Sequence, residues 1–303
     1  MEWLIFAFFG TLFFSAAGVL DKLLLSGYTT GSKAYVVCQI LAQQVFTVPV
    51  ILMLGTGFLY PSSLYALLFG CLQVIPALFY LRALQVEEAS RVTALEHVYP
   101  VFVFAGSFIL LGEVLETKHY AGVLLLLAGA LLLSFRGAGR DLLGGLRAIS
   151  PAIRPFLSYW IFTALYYIGL KYLLISIDEW DLYAWSSLGS LVAILPLIAV
   201  QSVRHDVACF FARGGPAIVA LLSEETCQFL GIILSLFAYA LGSAALVSSV
   251  GALQPMLTVL MVLLIGALSP RLSEALSEMT DRRSLAQKAF CFMIMVLGIY
   301  FVS

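Results

Sequence analysis

Apolar stretches of about 20 residues recur along almost the whole chain, separated by short segments that hold most of its charges. A helix needs about 20 apolar residues to cross the roughly 30 Å hydrocarbon core of a bilayer, where every backbone polar group must be satisfied internally. The chain divides into ten such stretches, near 3–25, 34–58, 62–84, 90–111, 119–135, 155–175, 181–203, 215–241, 243–268 and 285–302. The expected fold class is therefore an all-α membrane protein with ten transmembrane helices. Composition excludes the soluble classes: 62% of the 303 residues are hydrophobic and 11% charged, against about 25% charged in a soluble domain. The mean hydropathy is +1.04. A net charge of −1 leaves no electrostatic footprint for nucleic acid. Cys38, Cys71, Cys209, Cys227 and Cys291 lack metal-ligand spacing and read as packing residues, so no cofactor or metal is expected.

The first stretch begins Met1-Glu2-Trp3, with no basic segment before it and no cleavage site before Asp21-Lys22, and reads as a retained span. Fourteen Lys and Arg residues fall on one side of the alternating loops, and only Lys118 and Lys171 fall opposite. Basic residues near span ends mark the cytoplasmic side, so both termini are expected on the extracytoplasmic side.

Pro100 and Pro255, Ala83 and Ala238, Ala89 and Ala244, Val92 and Val247, and Gln73 and Gln228 all match at an offset of 155. Lys22 matches Lys171 at 149 and Pro49 matches Pro196 at 147, with the loop around Arg204 to Gly215 absorbing the difference. Two units result, 1–135 and 155–303, joined by a cytoplasmic linker at 136–154. Each holds five spans, and an odd number forces the second copy into the membrane upside down. Two inverted repeats around a central cavity are the usual build of secondary transporters, because similar halves can rock to open either face.

The stretch Ala83-Leu84, Glu88-Ala89-Ser90-Arg91-Val92, Leu95 and Pro100, with Leu111-Gly112-Glu113 and Gly122 to Gly129-Ala130, resembles the EamA-type repeat of the drug/metabolite transporter superfamily. The likeness is close in spans three to five and degenerate in eight to ten, where Leu111-Gly112-Glu113 aligns with Gly266-Ala267-Leu268. What the resemblance implies is a ten-helix bundle carrying small metabolites by alternating access. It names no substrate, since one fold hosts many cargoes.

Glu224 lies roughly 13 Å into the eighth span at 1.5 Å per residue. A charge at the centre of a bilayer costs about 2.5 to 3.5 kcal/mol, so such residues usually face a partner or a wet cavity. Glu224, Gln228, Gly231 and Ser235 form one stripe, and Glu225 points about 100° away with Phe229 and Ile232. Glu224 is accordingly the expected cavity residue, unless the pair marks a shallower helix start. In the fourth span Glu96 shares a face with Pro100, Val103 and Ser107, with Thr93 one turn before, Tyr99 beside it and His97 off that face. Pairing of Glu96 with Arg91 or Arg82 is the competing reading. A carboxyl group set in the cavity could exchange protons, which makes protons an expected partner.

Thr11, Ser15, Gly18 and Lys22 share a face of the first span, and Tyr159, Thr163, Tyr167 and Lys171 recur every fourth residue of the sixth. The two lysines either snorkel to headgroups or turn inward, where they would suit an anionic cargo. Gln39, Gln43 and Thr47, then Gln73, Pro76 and Tyr80, then Ser248, Pro255 and Thr258 complete an expected polar lining, or make interhelical hydrogen bonds. Pro49, Pro100, Pro196 and Pro255 are candidate hinges, because a proline inside a span permits a bend. Trp185, Tyr166, Tyr167, Tyr183 and Tyr239 could offer aromatic faces to a cation or anchor at the interface.

The leading expectation is a secondary active transporter in the cell membrane, exporting a small polar metabolite or organic cation in exchange for protons. A carrier of an anionic or zwitterionic metabolite using Lys22 and Lys171 is the alternative. An intramembrane enzyme is disfavoured, since His97, His119 and His205 belong to no metal or nucleophile motif. Nor is there a filter-like loop or ligand-binding domain for a channel or receptor. Ala238-x-x-x-Gly242 is a small-residue pattern that could pack helices within the chain or in a homodimer.

Overall fold

The computed structural model of the protein describes residues 2–28, 31–86, 92, 95–134, 156–268 and 282–302. The linker at 136–154, the segment Glu88 to Arg91, and Thr93 lie outside the described residues. Among those described the chain is helical, without strands: α1 (Glu2–Gly27), α2 (Ser32–Leu54), α3 (Ser62–Val86), α4 (Tyr99–Gly106), α5 (Thr117–Ser134), α6 (Phe156–Leu173), α7 (Glu179–Ala193), α8 (Leu195–Ala199), α9 (Gln201–Ala212), α10 (Gly215–Leu241), α11 (Ala244–Gly251), α12 (Gln254–Leu268) and α13 (Arg282–Val302). Glu2–Gly27, Ser32–Leu54, Ser62–Gln85, Glu179–Ala199, Gly215–Leu241 and Ala244–Gly266 are long and apolar enough to cross a membrane. Tyr99–Leu111 and Ala286–Val302 are shorter apolar helices.

Local chemistry sets the helix ends. Asp178 caps α7 by accepting the backbone N–H of Trp180 at 2.9 Å and of Asp181 at 2.8 Å. Helix α2 stops at Gly55, in the left-handed region at φ 66°. Helix α4 loosens into a π-helical turn, Ser107–Leu111, that ends at Gly112 with φ 67°.

Burial runs opposite to that of a soluble globule. Leu52, Met53, Ile109 and Leu264 are exposed, whereas Asp21, Thr47, Ser187 and Glu224 are buried. Such an outer surface suits hydrocarbon rather than water. Helix α1 packs along α10 and against α11 and α12, α6 packs against α3 and α4, α2 and α3 pack against α7, and α5 packs against α13. The contact of α3 with α7 is the tightest kind. An alanine methyl at Gly70 would stand 1.8 Å from the Ser186 carbonyl oxygen, and one at Gly189 would stand 2.0 Å from that of Leu67. Only glycine allows backbones this close. Ser190 Oγ then donates to the Gly70 carbonyl at 3.1 Å, and Cys71 Sγ to that of Gly189 at 3.1 Å.

Several expectations are corrected. The ninth stretch, 243–268, is not one helix: residues 252 and 253 form a turn between α11 and α12. Residues 97 and 98 form a turn ahead of α4 within the stretch expected at 90–111. Pro100 and Pro255 are each the second residue of the helix after such a turn, and Pro196 is the second residue of α8. There a proline's missing N–H is not needed, so these three start helices instead of bending them. Pro49 does lie inside α2. The expected loop from Arg204 to Gly215 is largely helix α9, which buries Val203 and Phe210. Ala238 is buried and the Trp3 ring lies against Gly242, so that small-residue pattern packs within the chain and offers no face to a homodimer.

Candidate functional site

A cavity of about 170 Å³ lies between the helices, room for on the order of ten water molecules. Helix α1 lines it with Ala7, Thr11, Phe14, Gly18 and Asp21, one face at helical spacing. Gln39 reaches it from α2, and Gln73, Pro76 and Tyr80 from α3. Glu96, His97 and Tyr99 enter from the first helix break, and Gly251 and Gln254 flank the second. Tyr159, Thr163, Tyr166 and Tyr167 come from α6, and Gln228, Ser235 and Tyr239 from α10.

Two acid groups stand in this wall. Asp21 Oδ1 accepts the Tyr35 hydroxyl at 2.8 Å and Gln39 Nε2 at 2.8 Å. The same Nε2 donates to Glu224 Oε1 at 3.2 Å, so one amide nitrogen bridges the Asp21 and Glu224 carboxyl groups. Glu96 Oε1 accepts the Tyr159 hydroxyl at 2.5 Å. Glu96 Oε2 and Glu224 Oε2 are buried without a hydrogen-bond partner among the described residues. Among the described residues every donor to these carboxyl groups is neutral, and none of the three groups is in an ion pair.

The break before α4 is repaired from α6. Trp160 Nε1 donates to the Leu95 carbonyl at 2.7 Å, next to the bond from Tyr159 to Glu96. Freed backbone groups inside a membrane are tolerated where neighbours re-satisfy them in this way. An aromatic column follows, with Tyr99 stacked on Tyr167 at 5.1 Å and Tyr167 on Tyr239 at 5.3 Å between ring centres.

The expected site residues distribute unevenly. Gln73, Glu96, Tyr99, Tyr167 and Gln228 line the cavity. Glu224 is fully buried one side chain behind the wall, behind Gln39 and Asp21, and so does not itself face the space. Glu225 is buried within electrostatic reach of Tyr183, away from the lining. Ser15 turns from the cavity, donating to the Thr11 carbonyl at 2.8 Å and the Gln254 carbonyl at 3.3 Å. Glu96 does not pair with Arg82, which is exposed; Arg91 lies outside the described residues.

Neither Lys22 nor Lys171 lines the cavity or snorkels freely. Lys22 Nζ donates to the Leu84 carbonyl at 2.6 Å, near the end of α3. Lys171 Nζ donates to the carbonyls of Tyr239 and Gly242, both at 2.7 Å, at the end of α10. A cation at a helix C-terminus meets the negative end of the helix dipole. Lys22 therefore does not belong among the loop charges that set orientation.

Pro76 and Tyr80 join the lining, as does Gln39, but Thr47 bonds Ser187 Oγ at 2.6 Å instead, and Ser248, Pro255 and Thr258 lie outside it. Asp21 and His97 are the residues that sequence reasoning missed. The signal for Asp21 was present: Thr11, Gly18 and Asp21 stand at i, i+7 and i+10, one residue from the stripe that ends at Lys22. No group of three or more His, Cys, Asp or Glu side chains among the described residues could hold a metal ion.

No curated protein matches the chain. A solved structure described as "Crystal structure of protein" superposes with a TM-score of 0.57 at 16% identity, over 96% of this chain and 98% of the other, a likeness of fold alone. The family model described as EamA-like transporter family matches residues 1–135. With helices fit to cross a bilayer in both halves, this is a multi-pass membrane protein whose residues 1–135 are similar to the EamA-like transporter family.

Proposed function

We propose that the protein is a secondary active carrier that moves a small polar metabolite or organic cation by alternating access and exchanges it for protons. In this reading ten spans form two inverted five-helix units in the cell membrane, with both termini extracytoplasmic. The observation that carries it is the cavity wall: Asp21 and Glu96 are held there by tyrosine hydroxyls and an amide, with no basic side chain bonded to either among the described residues. Carboxyl groups so placed call for a cation or a proton as the missing partner. The anionic alternative loses its footing because both lysines are engaged with helix ends.

Internal symmetry supports the two-unit architecture. Lys22 and Lys171 are repeat-related, and so are their acceptors Leu84 and Tyr239, which stand at the offset of 155. Helices α4 and α12 begin at Tyr99 and Gln254, again 155 apart, each just after a turn. Helix α1 lies on α10 as α6 lies on α3. Such equivalences are what two copies of one unit produce, and paired broken helices are a transporter feature.

The test is purified protein in liposomes loaded with a pH-sensitive dye, offered organic cations, amino acids and phosphorylated compounds in turn. Cargo-dependent proton movement, absent in Glu96→Gln, is the expected result. Movement of phosphorylated compounds alone, or transport indifferent to a pH gradient, would overturn the reading.

A further inference from the structure

Proton coupling, taken from the reading above, leaves open which acid carries the proton. We propose that Asp21 and Glu224 form one shared proton site, separate from the Glu96–Tyr159 pair, which is left to meet the cargo.

Geometry divides the acids into two sets. Glu96 stands at a helix break beside the tyrosines of α6, with Tyr159 its one donor among the described residues. Asp21 and Glu224 belong to α1 and α10, helices packed along their length, and Gln39 Nε2 of α2 is donated to both. Two carboxyl groups bridged by one amide nitrogen, at 2.8 and 3.2 Å, stand close enough that like charges resist joint ionisation, so the pair holds one proton. The unpartnered Oε2 of Glu224 fits this state, because a bare carboxylate oxygen away from water is costly and a protonated one is less so. Only Asp21 of the two lines the cavity, so it is the member that meets water there, while Glu224 is sealed behind it.

Among the described residues no basic side chain is bonded to either carboxyl group. Tyr35 faces the pair from α2, Tyr80 from α3, and Glu96 from across the cavity. Glu225 and Cys227 face it from α10 itself. Lys22, next in sequence to Asp21, directs its amine to the Leu84 carbonyl. Release of the shared proton to cavity water takes the pair from one negative charge to two, placed in the seam between α1 and α10. Rebinding from the other side of the membrane restores it. The charge that changes in each cycle is thus built into a helix interface, whereas the cargo acid sits apart from that seam.

Infrared difference spectroscopy of the detergent-purified protein over a pH titration reads this without a known cargo. A protonated-carboxyl band equivalent to one proton per chain is expected to vanish as pH rises. Asp21→Asn and Glu224→Gln should each abolish that step, and Glu96→Gln should keep it. Gln39→Met removes the shared donor and no carboxyl group, so the step should survive at a displaced pH even if an acid variant fails to fold. Persistence of the step in both acid variants, its loss in Glu96→Gln, or an unmoved step in Gln39→Met would overturn the assignment. Absence of proton flux in wild-type liposomes would instead sink the carrier reading while leaving the titration intact.

Discussion

Gly189→Ala would place a methyl group 2.0 Å from the Leu67 carbonyl oxygen, a backbone atom that cannot swing aside. Ordinary contact begins near 3.4 Å, so α3 and α7 would have to part by about 1.4 Å at their closest point. At that separation neither the 3.1 Å bond from Ser190 to the Gly70 carbonyl nor the 3.1 Å bond from Cys71 to the Gly189 carbonyl survives. Overpacking costs about 1–3 kcal/mol and a lost hydrogen bond about 1 kcal/mol. The better helix propensity of alanine returns about 1 kcal/mol. A net loss of roughly 2–4 kcal/mol follows from these magnitudes, readable as a lower melting temperature of the detergent-purified protein by intrinsic fluorescence. Gly57→Ala is the control: nothing lies within 4 Å of the added methyl, and its melting should stay within about 0.5 kcal/mol of wild type. If Gly189→Ala melted like the control, the close approach of α3 and α7 would be wrong, and with it the placement of Gln73 and Tyr80 in the cavity wall.

Tyr159→Phe removes the hydroxyl that holds Glu96, and in the liposome assay it should raise the cargo concentration needed for half-maximal proton flux; an unchanged value would remove Tyr159 from the site. Lys171→Met strips two 2.7 Å bonds from the end of α10 and should destabilise the protein by about 2 kcal/mol, using the charged-donor range discounted for a half-buried amine. Its cargo preference should be unaltered, and a selective loss of anion transport at full stability would count against that. Glu113 accepts Ser243 Oγ at 2.7 Å and the backbone N–H of Ala244 at 3.0 Å, capping α11 from another part of the chain. Glu113→Ala should therefore cost about 1–2 kcal/mol in melting experiments, and no change would show the cap to be idle.

Polar residues in apolar stretches were the readable part of this protein. Glu96, Gln73, Gln228 and Tyr167 stand out because hydrocarbon offers them nothing, and helical spacing puts each on a definite face. The face of α1 was misjudged by one residue: a stripe through Ser15 and Lys22 differs from one through Phe14 and Asp21 by a single step of about 100°, and period alone does not choose between them. The helix breaks were hidden for a different reason. Proline is compatible with a bent helix and with a new one, and which occurs depends on partners such as Trp160 that lie far away in sequence. The Gly112-Glu113 pair was legible as a likeness but not as a cap, since its target helix lies in the other half of the chain.

Helix α6 grips its surroundings at both ends. Tyr159 and Trp160 hold two successive residues at the first break, and Lys171 holds the end of α10. Both grips belong to one unbroken rod of 18 residues, about 27 Å long. Any tilt of that rod that carries Tyr159 along with Glu96 also pulls on the Tyr239 and Gly242 carbonyls at its far end. Glu96 and the end of α10 are thereby tied to opposite ends of one stiff element, so a displacement at one is carried to the other by a helix and not by a loop.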